Sequence, residues 1–94
     1  MEIEYDPDKE IANILKHGMS LEIARVVDWS IAMIQADTRW FYGEVRCTAV
    51  VPVLSKHYVI VFTDRRDRRR IISVRRANHR ERRRYVRFLG TSDG

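Results

Sequence analysis

At 94 residues the chain has room for one small domain, expected over residues 1–94 with 90–94 as a frayed polar tail. Its 45% hydrophobic content, with two Trp, four Tyr and three Phe, excludes a disordered chain; its apolar runs fall far short of the ~20 residues of a membrane helix, and one cysteine excludes an internal disulfide framework. The net charge of +5 is split unevenly, nine acidic and four basic side chains in residues 1–44 against four and fourteen in 45–94, which points to a polyanion such as nucleic acid or to an acidic protein.

The opening residues, Met1 to Tyr5, alternate as a short strand and show no signal-peptide pattern, so a cytoplasmic location and no membrane contact are expected. Asp6-Pro7 opens a helix as N-cap and first helical residue; Ile11, Ile14 and Leu15 form its predicted inner stripe, and Gly18 ends it. Ser20 caps a second predicted helix with Leu21, Ala24, Val27 and Trp29 inward. Strands are expected at 31–36, 45–53, 57–63 and 71–74. Pro52 implies an edge or a bulge in the second of these, and the apolar third reads as central. Asn78 caps a last helix carrying Tyr85, Phe88 and Leu89. The expected fold is therefore α+β: two N-terminal helices, a four-stranded mainly antiparallel sheet plus the short first strand, and a C-terminal helix, with the helices on one sheet face.

Several segments in this order resemble the BrnT-type toxins of bacterial type II toxin–antitoxin systems. They are Tyr5-Asp6-Pro7-Asp8-Lys9, Asn13 to Ser20, Asp37-Thr38-Arg39, Tyr42 to Arg46, Phe62 to Arg65, Arg70 to Ala77 and Glu81 to Tyr85. The resemblance implies a RelE-like fold and an endoribonuclease that blocks translation. It also implies neutralisation by a BrnA-type antitoxin, with operator DNA bound only through the antitoxin complex.

RNA cleavage without a metal uses the substrate's 2′-hydroxyl as nucleophile and needs a proton acceptor, a proton donor and cations for the phosphorane. His17, Lys16, Arg65, Arg75 and Glu81 are the candidate catalytic residues. His17 beside Lys16 at a helix end suits proton transfer; alternatively both cations only complement the helix terminus. Arg65 and Arg75 flank the charged hairpin and are either phosphate clamps or solvated strand ends. Two registers are open. A two-residue turn at Asp67-Arg68 pairs Arg65 with Arg70; a three-residue loop at 67–69 pairs Arg65 with Ile71 and puts Thr63, Ser73, Val61 and Arg75 with it on one surface. Glu81 fits a capping box with Asn78, or orients Arg75, or acts as base. Arg66, Arg68, Arg69, Arg70, Arg76, Arg80, Arg83 and Arg84 are candidate RNA-backbone contacts. Trp40-Phe41 could stack on a base or a partner, whereas Tyr85 and Cys47 are expected in the core. His17, His57 and His79 lack ligand spacing, so no metal or cofactor is expected. The alternative function is a noncatalytic basic module that holds a partner protein or nucleic acid.

Overall fold

The computed structural model describes residues 1–38 and 43–92. Five strands form one mixed sheet: β1 (Glu2–Glu4), β2 (Met33–Asp37), β3 (Arg46–Val53), β4 (Lys56–Arg65) and β5 (Arg68–Arg76), in the spatial order β1-β5-β4-β3-β2. β2 to β5 run as an antiparallel meander, and β1 adds to β5 in parallel. Two α-helices, α1 (Pro7–His17) and α2 (His79–Ser92), complete an α+β fold. Arg39, Trp40, Phe41 and Tyr42 lie outside the described residues, and with them the stacking role expected of Trp40-Phe41.

The second N-terminal helix is not an α-helix. Leu21–Arg25 and Trp29–Ile31 are two short 3₁₀ helices. Ser20 caps the first, accepting from the Glu22 amide, but Asp28 caps a new start by accepting from the Ser30 amide. Two caps eight residues apart leave too little chain for an α-helix to propagate between them. The second 3₁₀ turn also delays β2 to Met33.

α1 has the predicted caps: Asp6 accepts from the Asp8 amide, and Gly18, at φ 69°, donates to the Ile14 carbonyl. Its inner face is not the predicted one. Ile11, Ile14 and Leu15 are exposed, Leu15 by 83%, while Asn13 is buried. β1 covers β5 only over Arg68 to Arg70, so the backbone of Val74 has no strand partner on that edge. Asn13 supplies one. Its amide nitrogen donates to the Val74 carbonyl (2.9 Å) and its oxygen accepts from the Val74 amide (3.0 Å). The same nitrogen donates to the Met19 carbonyl (2.8 Å). A buried backbone pair would otherwise lack partners, so polar docking replaces an apolar stripe.

The sheet is covered on both faces rather than on one. Leu21, Ala24 and Val27 pack against Ala49, Val51, Ile60, Phe62, Ile71 and Val74; on the other side Tyr85 of α2 packs on Met33, Val50 and Val59. Cys47 packs beside the first of these groups, where burial raises its thiol pKa. Pro52 stands beyond the end of β2, whose pairing stops at Met33–Val50, so β3 is locally an edge there, as the proline requires. β4 is the middle strand. α2 continues through Gly90 to Ser92, into the stretch expected as a tail, while Phe88 and Leu89 stay exposed.

Both hairpin registers expected for β4 and β5 are wrong. Arg65 pairs with Arg68, leaving Arg66-Asp67 as the turn, with Arg66 at φ 57°. Arg68 and Arg69 belong to the strand because it holds them there. Asp64, directly opposite, binds the Arg69 guanidinium through two hydrogen bonds (2.8 and 2.9 Å). That guanidinium also lies over the rings of Trp29 and Phe62, 4.5 and 4.3 Å from their centroids.

Candidate active site

The site depends on one irregularity in β5. Val61 pairs with Ser73 but Phe62 pairs with Ile71, so Ile72 is an extra residue, a β-bulge. Ile71 faces the Leu21 core. Strict alternation would turn residues 73 and 75 the same way and bury the Arg75 guanidinium among aliphatic side chains. The bulge shifts the phase by one residue. Val74 fills the core position, and Ser73 and Arg75 emerge on the opposite face.

α1 delivers its own groups to that place. Positions 9, 13, 16 and 17 fall on one helical face, and Asn13 fixes that face against β5. Lys9, Lys16 and His17 therefore line a cleft of about 370 Å³, with Ile72, Ser73 and Arg75 as the opposite wall. His17 and Arg75, candidates from distant parts of the chain, thus line one cavity.

Arg75 is held by Glu81. Its Nη1 donates to Oε1 (2.8 Å) and its Nη2 to Oε2 (2.7 Å), a fork-on-fork pair. Glu81 has a second role at the start of α2: its Oε1 accepts from the Asn78 amide (2.9 Å) while the Asn78 side chain accepts from the Glu81 amide (2.8 Å). This is a full capping box. The hydrogen bonds from Arg75 hold the Glu81 carboxyl below its ordinary range, and the same pair raises Arg75. The helix start and the guanidinium are thereby fixed by one carboxylate.

A second cleft, of about 320 Å³, lies beyond Arg75 between the sheet and α2, and Arg75, Glu81 and Arg84 line it with Gln35, Thr48 and the Val50–Val59 floor. Arg75 is common to both clefts.

Arg65 is not part of this arrangement. It faces the same side of the sheet as Arg75 by alternation, but it lies six residues along β4 from Val59, the residue opposite Arg75, on the order of 20 Å away. Glu44 binds it through Nε (3.0 Å) and Nη2 (2.9 Å). Of the other arginines, Arg70 is tied to Glu4 (2.7 Å), Arg68 stands 3.8 Å from Glu4, and Arg69 is held as described. Arg76 lies over the Tyr58 ring, Arg66 is at the hairpin tip, and Arg80 and Arg83 are exposed on α2. Tyr85 is buried and donates to the Ile31 carbonyl (2.6 Å), a core residue as expected. Among the described residues no group of three or more His, Cys, Asp or Glu side chains is placed to hold a metal ion.

Sequence reasoning missed Asn13, the Ile72 bulge, and Gln35 with Thr48. The signal for Asn13 is there to read: Lys9, Asn13, Lys16 and His17 repeat at helical spacing as a polar face. The bulge shows only in the phase conflict between an inward Ile71 and an outward Arg75.

A small basic α+β domain whose cleft is lined by an imidazole, two lysines and an arginine held by a carboxylate has groups suited to work on a phosphodiester. Comparison with protein families agrees: the family described as "Ribonuclease toxin, BrnT, of type II toxin-antitoxin system" matches residues 5–81. The chain belongs to this family of ribonuclease toxins, and membership implies RNA as substrate and an antitoxin as partner. No curated protein matches the chain. None of its described helices is long and apolar enough to cross a membrane.

Proposed function

We propose that the chain is a RelE-like, metal-independent endoribonuclease, acting as one toxin domain, that cleaves RNA in the α1 cleft and thereby inhibits translation. The observation that carries this reading is the shared cleft of Lys16, His17 and Arg75. The substrate's 2′-oxygen attacks the adjacent phosphorus and the 5′-oxygen leaves, giving a 2′,3′-cyclic phosphate and a 5′-hydroxyl. His17 moves the proton that this exchange requires, since imidazole both accepts and donates near neutral pH. Arg75 and Lys16 stabilise the additional negative charge on the phosphorane, Arg75 from a position that Glu81 sets before the reaction begins. Glu81 is a positioning residue: an ionised carboxylate that holds the Arg75 fork in one orientation. Arg84, Arg80 and Arg83 extend the cationic surface along α2 for the RNA backbone.

The partner is a BrnA-type antitoxin, and operator DNA is reached only through that complex, in the cytoplasm. The exposed Ile11, Ile14 and Leu15 on α1 support a protein partner, because a solvated helix gains nothing from three aliphatic side chains left in water.

The test is RNA cleavage by purified protein in the presence of a chelator. The wild type should cleave, and His17→Ala should lose most of the activity, roughly 10²-fold or more. Loss of wild-type cleavage on chelation, or full activity in His17→Ala, overturns the mechanism. Growth arrest on expression of the chain alone, relieved by Arg75→Ala, separates a toxin from a noncatalytic binding module, which a cell should tolerate.

A further inference from the structure

The cleft beyond Arg75 differs in chemistry from the one that holds His17. Its floor carries two aliphatic side chains, Val50 and Val59, neighbours on β3 and β4 that are nearly buried beside Tyr85. Its rim is polar. Gln35 and Thr48 face each other across β2 and β3, two residue pairs along from Met33–Val50, Asp37 follows on β2, and Arg84 of α2 lines the cleft from the other side. The aliphatic edge left open in that floor suits the face of an aromatic ring better than a phosphate. The rim suits the edge of such a ring, because a carboxamide offers a donor and an acceptor side by side and a hydroxyl can serve as either. A guanidinium plane on the far wall can stack on the ring.

Arg75 lies at the junction. A phosphodiester bound to its guanidinium, with the reacting atoms toward His17, has one flanking nucleotide directed along the sheet toward Gln35. We infer that this second cleft is a nucleobase subsite: it takes the base of a nucleotide flanking the scissile phosphate, and the Gln35 carboxamide and Thr48 hydroxyl read its edge. The inference deepens the ribonuclease reading and rests on it for the placement of the phosphate. Gln35 is then a specificity-determining residue, and the cleavage sites should follow base identity at one position. A bidentate carboxamide contact favours adenine, whose exposed edge carries an adjacent donor and acceptor.

Two measurements test the subsite separately from the reaction. The first titrates the protein with four 2′-deoxy dinucleotides that differ in one base and cannot react, and follows backbone amide resonances. Shifts at Gln35, Thr48 and Val50 that depend on the base, and that disappear in Gln35→Ala, are expected. Shifts confined to Lys16, His17 and Ser73, with the second cleft unmoved for every base, overturn the subsite. This outcome is read whether or not the chain cleaves RNA. The second maps cleavage sites on a mixed-sequence RNA. The ratio between the best and worst base at the preferred position should fall about tenfold in Gln35→Ala, and Thr48→Val should shift it as well. An unchanged spectrum in both variants overturns the assignment. Gln35 is exposed on an edge strand, so its truncation leaves the core intact.

Discussion

The two ends of the β4–β5 ribbon carry similar residues and do different things. At the hairpin end Arg65, Arg68, Arg69 and Arg70 crowd together, and carboxylates meet them: Asp64 from within the hairpin, Glu4 and Glu44 from elsewhere in the chain. Glu4 and Glu44 come from the acidic first half, so the charge asymmetry of the sequence is partly cancelled by the fold. At the bulged end Arg75 is paired with Glu81, and there the sheet opens onto a cleft lined by His17, Lys9 and Lys16. In the proposed mechanism, then, density of positive charge does not mark the site; the mark is a guanidinium held by a carboxylate in a cleft that an imidazole also lines.

The largest expected difference between the two ends is catalytic. Arg75→Ala should lower the rate of RNA cleavage by about 10²–10³-fold, as loss of a preorganised charge-stabilising donor does elsewhere. The corresponding change at the hairpin end, Arg65→Ala, should leave the rate within about threefold, because an exposed ion pair is worth ~0–1 kcal/mol. Equal losses in the two variants would abolish the distinction between the ends.

Next in size is the docking of α1. Asn13→Ala leaves the Val74 amide and carbonyl without partners in a buried place and should cost about 1–3 kcal/mol, measured by urea unfolding. It should also reduce cleavage, because Lys16 and His17 reach the cleft on that helix. Asn13→Asp should cost at least as much, because it sets a buried carboxylate against the Met19 and Val74 carbonyls that the amide nitrogen now satisfies.

The smallest effect concerns acid. Glu81 titrates below its ordinary value in the folded chain, chiefly through the hydrogen bonds from Arg75. Its contribution to stability is therefore complete above the unfolded carboxyl pKa, about 4.5, and is lost as the pH falls through the lower folded value. Glu81→Gln should be less stable than wild type at pH 7, and the gap should narrow on acidification. A gap that widens toward low pH would show that the pair does not stabilise the fold.

Much of this was legible in the amino-acid order. Asp6, Pro7 and Gly18 bound α1, Asn78 and Glu81 begin α2, and the apolar run of β4 marks the middle strand, because caps and central strands are local or compositional signals. The region from Ser20 to Asp28 was not, since a competing cap at Asp28 outweighs the helical spacing of Leu21, Ala24 and Val27. Nor was the inner face of α1, where the requirement is imposed by an open strand edge 61 residues away in sequence. His17, Lys16, Arg75 and Glu81 are candidates from residue type and position alone. Their grouping, and the separation of Arg65, depend on hairpin register, which a stretch of near-identical arginines does not encode.

The supernumerary Ile72 makes strand length itself a chemical variable. Four steps of chain from Ile71 to Arg75 count as three in the pleat, and inserting one further residue within that segment would send a guanidinium into aliphatic surroundings that cannot solvate it. Variation along this ribbon is thus freer in the identity of side chains than in their number.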